Sequence, residues 1–192
     1  MTRHPLTLVL LIGVVTLTQS CAPLVVAGAG TAAVAAHDRR TVGAFVDDSA
    51  VELKINNALR EDDEARENTH INVTSMNGIV LLSGEASTAA LRDRVLANAR
   101  AVAGVRRVVN EIRVAPPSSI GDRSYDTWLT TKVKSKLIGT ESLDSTRVKV
   151  VTENDAVFLL GIVTHKEADL ATGAATSVSG VTRVVKLFEY LD

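Results

Sequence analysis

The chain repeats itself, and the repeat decides what it can fold into. Lys54-Ile55 and Leu59 recur as Lys132-Val133 and Leu137 at a spacing of 78 residues. INVTSMNGIVLLSG (residues 71–84) recurs as VKVVTENDAVFLLG (residues 148–161) at a spacing of 77. Val102, Gly104-Val105, Arg107-Val108-Val109 and Ile112 recur as Val178, Gly180-Val181, Arg183-Val184-Val185 and Phe188 at a spacing of 76. Two single-residue gaps therefore align two copies, residues 47–115 and 125–192. Between them, residues 116–124 open Pro-Pro-Ser-Ser and read as a linker.

Each copy reads helix, strand, strand, helix, strand. Val51, Ile55 and Leu59, and their counterparts Leu129, Val133 and Leu137, recur every four residues and share one helical face. Asp48 and Asp126 are the expected N-caps of these helices. Ile71-x-Val73 and Val148-x-Val150 alternate like half-buried strands. Asn77-Gly78 and Asn154-Asp155 are hairpin turn pairs, leading into Val80-x-Leu82 and Val157-x-Leu159. The second helices carry Leu91, Val95, Ala99 and Val102, or Ala168, Ala171, Ala175 and Val178. Gly104 and Gly180 end them where a left-handed backbone is needed. In the last strand of the second copy, Val185-Leu187 and Val184-Phe188 are equally credible core faces. The fold class is α+β: two tandem αββαβ units, each with two helices packed on a three-stranded mixed sheet. Gly84 and Gly161 stand at one place in both copies, just after an apolar strand. They read as sites of close packing rather than of chemistry.

The N-terminus reads as a secretory signal over residues 1–20. Arg3 is followed by the uncharged LTLVLLIGVVTL (residues 6–17), too short for a membrane span of ~20 residues. Thr18-Gln19-Ser20-Cys21 resembles a bacterial lipobox, with Thr18 where a leucine is usual. The resemblance implies that Cys21, the single cysteine, carries diacylglycerol and an N-acyl chain such as palmitate. Residues 21–46 then form an acylated, flexible tether. No cysteine remains for a disulfide or a thiolate metal site. Removing residues 1–20 leaves 20 basic and 22 acidic side chains. That balance argues against nucleic acid as a partner.

The unit V-x-V, N-G-x-V-x-L-x-G, an Ala-rich helix, then G-V-x-x-V-x-N resembles the BON domain. Residues 71–84 and 104–110 fit it closely. Residues 148–161 and 180–186 fit with Asp155 for the turn glycine and Lys186 for the asparagine. A lipobox ahead of two such units resembles the dual-BON outer-membrane lipoproteins. The resemblance implies a lipid-anchored, periplasm-facing protein that binds anionic phospholipid through its second BON unit. It further implies support of envelope integrity and gathering at division sites. Ala22 in place of an aspartate after the cysteine agrees with the outer membrane.

For such binding the residues point to one helix face. Over residues 126–138, Trp128, Lys132 and Ser135 leave the core stripe, flanked by Lys136 and Ile138. An off-core indole beside ammonium groups suits an anionic bilayer interface. The first copy has Ala50 and Asn57 at the positions of Trp128 and Ser135, keeps Lys54 for Lys132, and then runs into Glu61-Asp62-Asp63-Glu64. That acidic stretch reads as solvated. Two other readings stay open: Trp128 packed against the first domain, and the lysines as a merely solvated face. No catalytic constellation, metal-ligand spacing or nucleotide fingerprint is visible, so no enzyme, metal or cofactor is expected beyond the lipid on Cys21. The competing functional reading is an adaptor that docks to outer-membrane assembly or envelope-remodelling proteins. Oligomeric state has no signature in the sequence.

Overall fold

A computed structural model describes residues 41–192; the signal segment, Cys21 and the tether up to residue 40 lie outside the described residues. The first domain comprises α1 (Val42–Glu61), α2 (Asp63–Asn68), β1 (Thr69–Met76), β2 (Ile79–Ala86), α3 (Ala89–Ala101) and β3 (Arg107–Val114). The second comprises α4 (Ile120–Ile138), a 3₁₀ turn (Ser145–Arg147), β4 (Lys149–Glu153), β5 (Ala156–Val163), α5 (His165–Thr176) and β6 (Arg183–Tyr190). The two three-stranded sheets have the orders β1-β2-β3 and β4-β5-β6. The first pair of each is antiparallel and the second parallel. The expected α+β repeat is therefore present, with α2 added in the first copy.

The hairpins form as their turn residues dictate. Asn77 and Gly78 have φ of +50° and +74°, and Asn154 and Asp155 of +51° and +61°. That pair of left-handed residues is the type I′ turn matched to strand twist. The helix starts differ from expectation. Thr41 and Ser119 are the N-caps, accepting from the Ala44 and Asp122 amides, so residues read as tether (42–46) and linker (120–124) are helical. Asp48 and Asp126 are instead each the seventh residue of a helix, and both are buried. Asp48 accepts from the Asn77 and Gly78 amides at 2.7 and 2.9 Å and from Ser75 Oγ at 2.6 Å. Asp126 accepts from the Asn154 and Asp155 amides at 2.8 and 3.1 Å. Each carboxylate thus ties its helix to its hairpin turn and satisfies amides that burial would otherwise leave unpaired. The acidic stretch after α1 is also partly used. Asp62 caps α2, and Asp62 and Glu64 both hold Arg94, at 3.0 and 2.8 Å, while Asp63 pairs with Arg66.

Each sheet buries both faces. Val80 and Leu82 pack under α1 and α3 with Val51, Ile55, Leu91, Val95 and Ala99. Val157 and Leu159 pack under α4 and α5 with Leu129, Val133, Leu137, Ala168 and Ala171. The alternate residues meet across a third core in which Met76 and Leu81 of the first sheet face Phe158, Leu160 and Leu187 of the second. The described residues form a four-layer α/β/β/α sandwich with the two sheets back to back. The ambiguity in β6 is thereby settled in favour of both faces. Val184 and Phe188 join the helix-side core, and Val185 and Leu187 join the seam between sheets.

Polar contacts rim that seam. Asn77 Nδ2 and Arg106 both donate to Glu189, at 2.7 and 3.0 Å. The equivalent turn residue Asn154 donates to Glu85 at 2.7 Å and also meets Arg113. Lys149–Glu52 and Arg183–Glu111 add ion pairs at 3.0 and 2.8 Å. Glu85 is fully buried; burial works to raise its pKa, but donors from Asn154, Arg113 and Ser118 outweigh it and hold the carboxyl below its ordinary value.

Glu153 has the opposite balance. Burial, reinforced by Glu85 and Asp126 and only partly opposed by the Asn72 amide (2.5 Å) and by Arg113, pushes it from 4.5 up to about 7. Folded protein therefore holds a proton between those values that the unfolded chain has released. Stability from this group is complete below 4.5 and is lost as pH rises through 7. Glu153→Gln, which mimics the protonated acid, should match the parent at about pH 4 and exceed it by roughly 3 kcal/mol at about pH 8. Urea unfolding at the two pH values measures this, and equal gaps at both would refute it.

Candidate functional site

The outer face of α4 carries the residues that the sequence singles out. Leu129, Val133 and Leu137 are fully buried on its inner face. At 100° per residue this turns Trp128, Ser135 and Ile138 outward. Trp128 is 51% exposed and Ile138 72% exposed. That exposure, and contacts made within its own domain, set aside packing of the indole against the first domain. Tyr125, one turn earlier, lies with its ring centroid 5.3 Å from that of Trp128, tilted by 41°.

Lys132 is more constrained than a solvated lysine. Its Nζ sits 4.3 Å from the Trp128 ring centroid and donates to the Ser179 carbonyl at 2.8 Å. Cation, indole and tyrosine are thus held as one preassembled cluster. Trp128, Lys132, Ser135 and Lys136 line one side of a shallow groove of about 570 Å³; Ser177, Val178 and Ser179, at the end of α5, line the other. All but Ile138 of the five expected residues line it.

A neighbouring groove of about 770 Å³ continues between α4 and α5, sharing Lys136 and Ser177 and adding Lys166, Leu170 and Gly173. A Cβ at Gly173 would meet nothing within 4 Å among the described residues. Sequence reasoning missed this extension. Its signal was a glycine inside a helix, which costs ~1 kcal/mol relative to alanine and calls for a reason. It also missed the carbonyl that fixes Lys132, which no spacing could reveal.

Gly84 and Gly161 each lie close against a neighbouring backbone. A Cβ at Gly84 would lie 2.0 Å from the His70 carbonyl oxygen, and one at Gly161 would lie 2.3 Å from that of Arg147. Among the described residues no three His, Cys, Asp or Glu side chains are placed to hold a metal ion, and no helix is long and apolar enough to cross a membrane.

Two sheets of this topology, each under its own helix pair, define a tandem α+β repeat protein. The chain belongs to the BON domain family, whose profile matches residues 47–116 and again 125–192. It is 42% identical over the whole length of both chains to the outer membrane lipoprotein DolP of Haemophilus influenzae. It is 38% identical to a 21 kDa hemolysin of Actinobacillus pleuropneumoniae, covering 81% of this chain and 80% of the relative. It is 34% identical to the osmotically-inducible protein Y of Escherichia coli, covering 74% and 72%. Among solved structures, CdsD of the Chlamydia trachomatis type III secretion system aligns over 72% of this chain and 91% of its own, at 11% identity and a TM-score of 0.31.

Proposed function

We propose that this protein is an outer-membrane lipoprotein, acylated at Cys21, whose second BON domain binds anionic phospholipid and which supports envelope integrity, with enrichment at division sites. The full-length likeness to an outer membrane lipoprotein supports the location. The observation that carries the lipid reading is the half-exposed Trp128 clustered with Tyr125 and Lys132 on the outer face of α4. An indole favours the headgroup level, and each lysine near an anionic surface adds about 1 kcal/mol. Lys132, Lys136 and Lys166 border the two joined grooves. The acyl chains supply the anchoring; the helix face then biases the protein toward anionic patches.

The test uses protein lacking residues 1–21, which retains all of the described residues, 41–192. It should co-sediment with phosphatidylglycerol vesicles and not with phosphatidylcholine vesicles. Its single tryptophan should shift to shorter emission wavelength on binding. Trp128→Glu should reduce co-sedimentation to background without lowering the melting temperature. Binding unchanged by that substitution would place the contact elsewhere.

A further inference from the structure

The two domains share a framework but differ at one place on it. In the second domain the turn after α5 brings Gly180 under Tyr125: a Cβ there would lie 2.6 Å from Tyr125 Oη and 3.4 Å from Leu129 Cδ1. Among the described residues, a Cβ at the equivalent Gly104 of the first domain would have only Val51 Cγ2 within 4 Å, at 3.2 Å. The cause is in the sequence. Asp47 stands where the second domain has Tyr125, and Ala50 where it has Trp128. With both rings missing, a recess of about 420 Å³ opens, bordered by Asp47, Ala50, Lys54, Gly78, Ala103 and Gly104.

The rest of the aromatic site is retained. Lys54 occupies the position of Lys132, the lysine that lies over the indole in the second domain. Ala103 occupies that of Ser179, whose carbonyl fixes that lysine. Gly104, with φ of +96°, presents bare backbone as a floor, as Gly180 does at +104°. The recess therefore offers a flat floor, an ammonium able to cover a ring, and a carboxylate at the position of the tyrosine. A ring with a donor at its edge matches all three.

We propose that the recess beside Gly104 receives a tryptophan or tyrosine side chain carried by a partner protein. The ring lies against Gly104, Lys54 covers its face, and its N–H or O–H donates to Asp47. The partner is another protein rather than a second copy of this chain. Trp128 of a second copy is already held by its own Tyr125 and Lys132, and seating it here would forfeit both contacts. The assignment concerns the first domain alone and stands apart from lipid binding by the second.

N-acetyl-tryptophanamide serves as the probe, followed by ¹⁵N-resolved NMR on protein lacking residues 1–21. Titration should shift the amides of Ala50, Lys54, Gly78, Ala103 and Gly104, and N-acetyl-leucinamide should not. Ala50→Trp combined with Asp47→Tyr fills the recess from within and should remove those shifts. Lys54→Gln leaves the recess open and should weaken the probe by about tenfold, the worth of one cation–π contact and its loss of edge definition. Shifts confined to the second domain, or equal shifts in the filled variant, would overturn the proposal. Self-association in sedimentation that is abolished by both Ala50→Trp and Trp128→Ala would overturn the choice of partner in favour of a second copy.

Discussion

Replacing Gly84 by alanine is expected to unfold the first domain. The added methyl would lie 2.0 Å from the His70 carbonyl oxygen and 3.0 Å from its carbon. Those atoms belong to β1, which pairs with β2 over eight residues. They cannot move away as a side-chain tip can. The backbone φ of +111° adds strain that an L side chain rarely tolerates. Separating the strands breaks the ladder at Ile71, and β2 is also the central strand that holds β3 at Ile112. A cost of about 4 kcal/mol or more is a large part of the ~5–15 kcal/mol that keeps a domain folded. Thermal denaturation should show a loss of ~10 °C or more, with collapse of the dispersed amide spectrum. Gly161→Ala should act in the same direction through the Arg147 carbonyl, without the positive φ. A Gly84→Ala protein melting within a few degrees of the parent would show that the close approach is not required.

The second large effect is expected at Phe158. Its ring is buried in the seam between the two sheets, opposite Val151 and Val185 in its own ladders and facing Met76 and Leu81 of the first domain. Phe158→Ala removes an aromatic side chain from a close-packed core, at a cost of about 3–5 kcal/mol. Phe158→Asp goes further by placing an unpaired carboxylate there. The helix-side core of the second domain, built on Val157 and Leu159, is untouched by either change. The parent should therefore unfold in one transition, and Phe158→Asp should unfold in two. X-ray scattering should show a larger radius of gyration before the first transition. One unchanged transition with unchanged scattering would mean that the domains do not depend on this seam.

Much of this architecture was legible because the determinants are local and occur twice. Asn-Gly and Asn-Asp require the left-handed turn they adopt, and the four-residue spacing of Leu129, Val133 and Leu137 selects the buried side of α4. The helix starts were misread because Asp48 and Asp126 look like caps to their nearest neighbours. Their carboxylates are instead taken by turn amides 28 to 30 residues away. The seam had a signal that went unused: Ile79 to Leu82 and Ala156 to Leu160 are continuous apolar runs, the pattern of strands buried on both faces. At the site, periodicity alone turned Trp128 outward. The partnership of Lys132 with Ser179 and the empty counterpart of the Tyr125–Trp128 pair depend on chain segments brought together only by folding.

The back-to-back sheets turn the outer faces of α1 and α4 in opposite directions. If α4 rests on a bilayer as proposed, α1 and the recess beside Gly104 look away from it. The chain enters at Val42, on that distal side. On the proposed acylation of Cys21, residues 22–41 separate the lipid from the folded unit, whose four layers are ~10 Å each. Fully extended, those residues reach about 65–70 Å. Under the proposed lipid reading, that length suffices both for α4 to rest on the bilayer and for the folded unit to lift off and turn over.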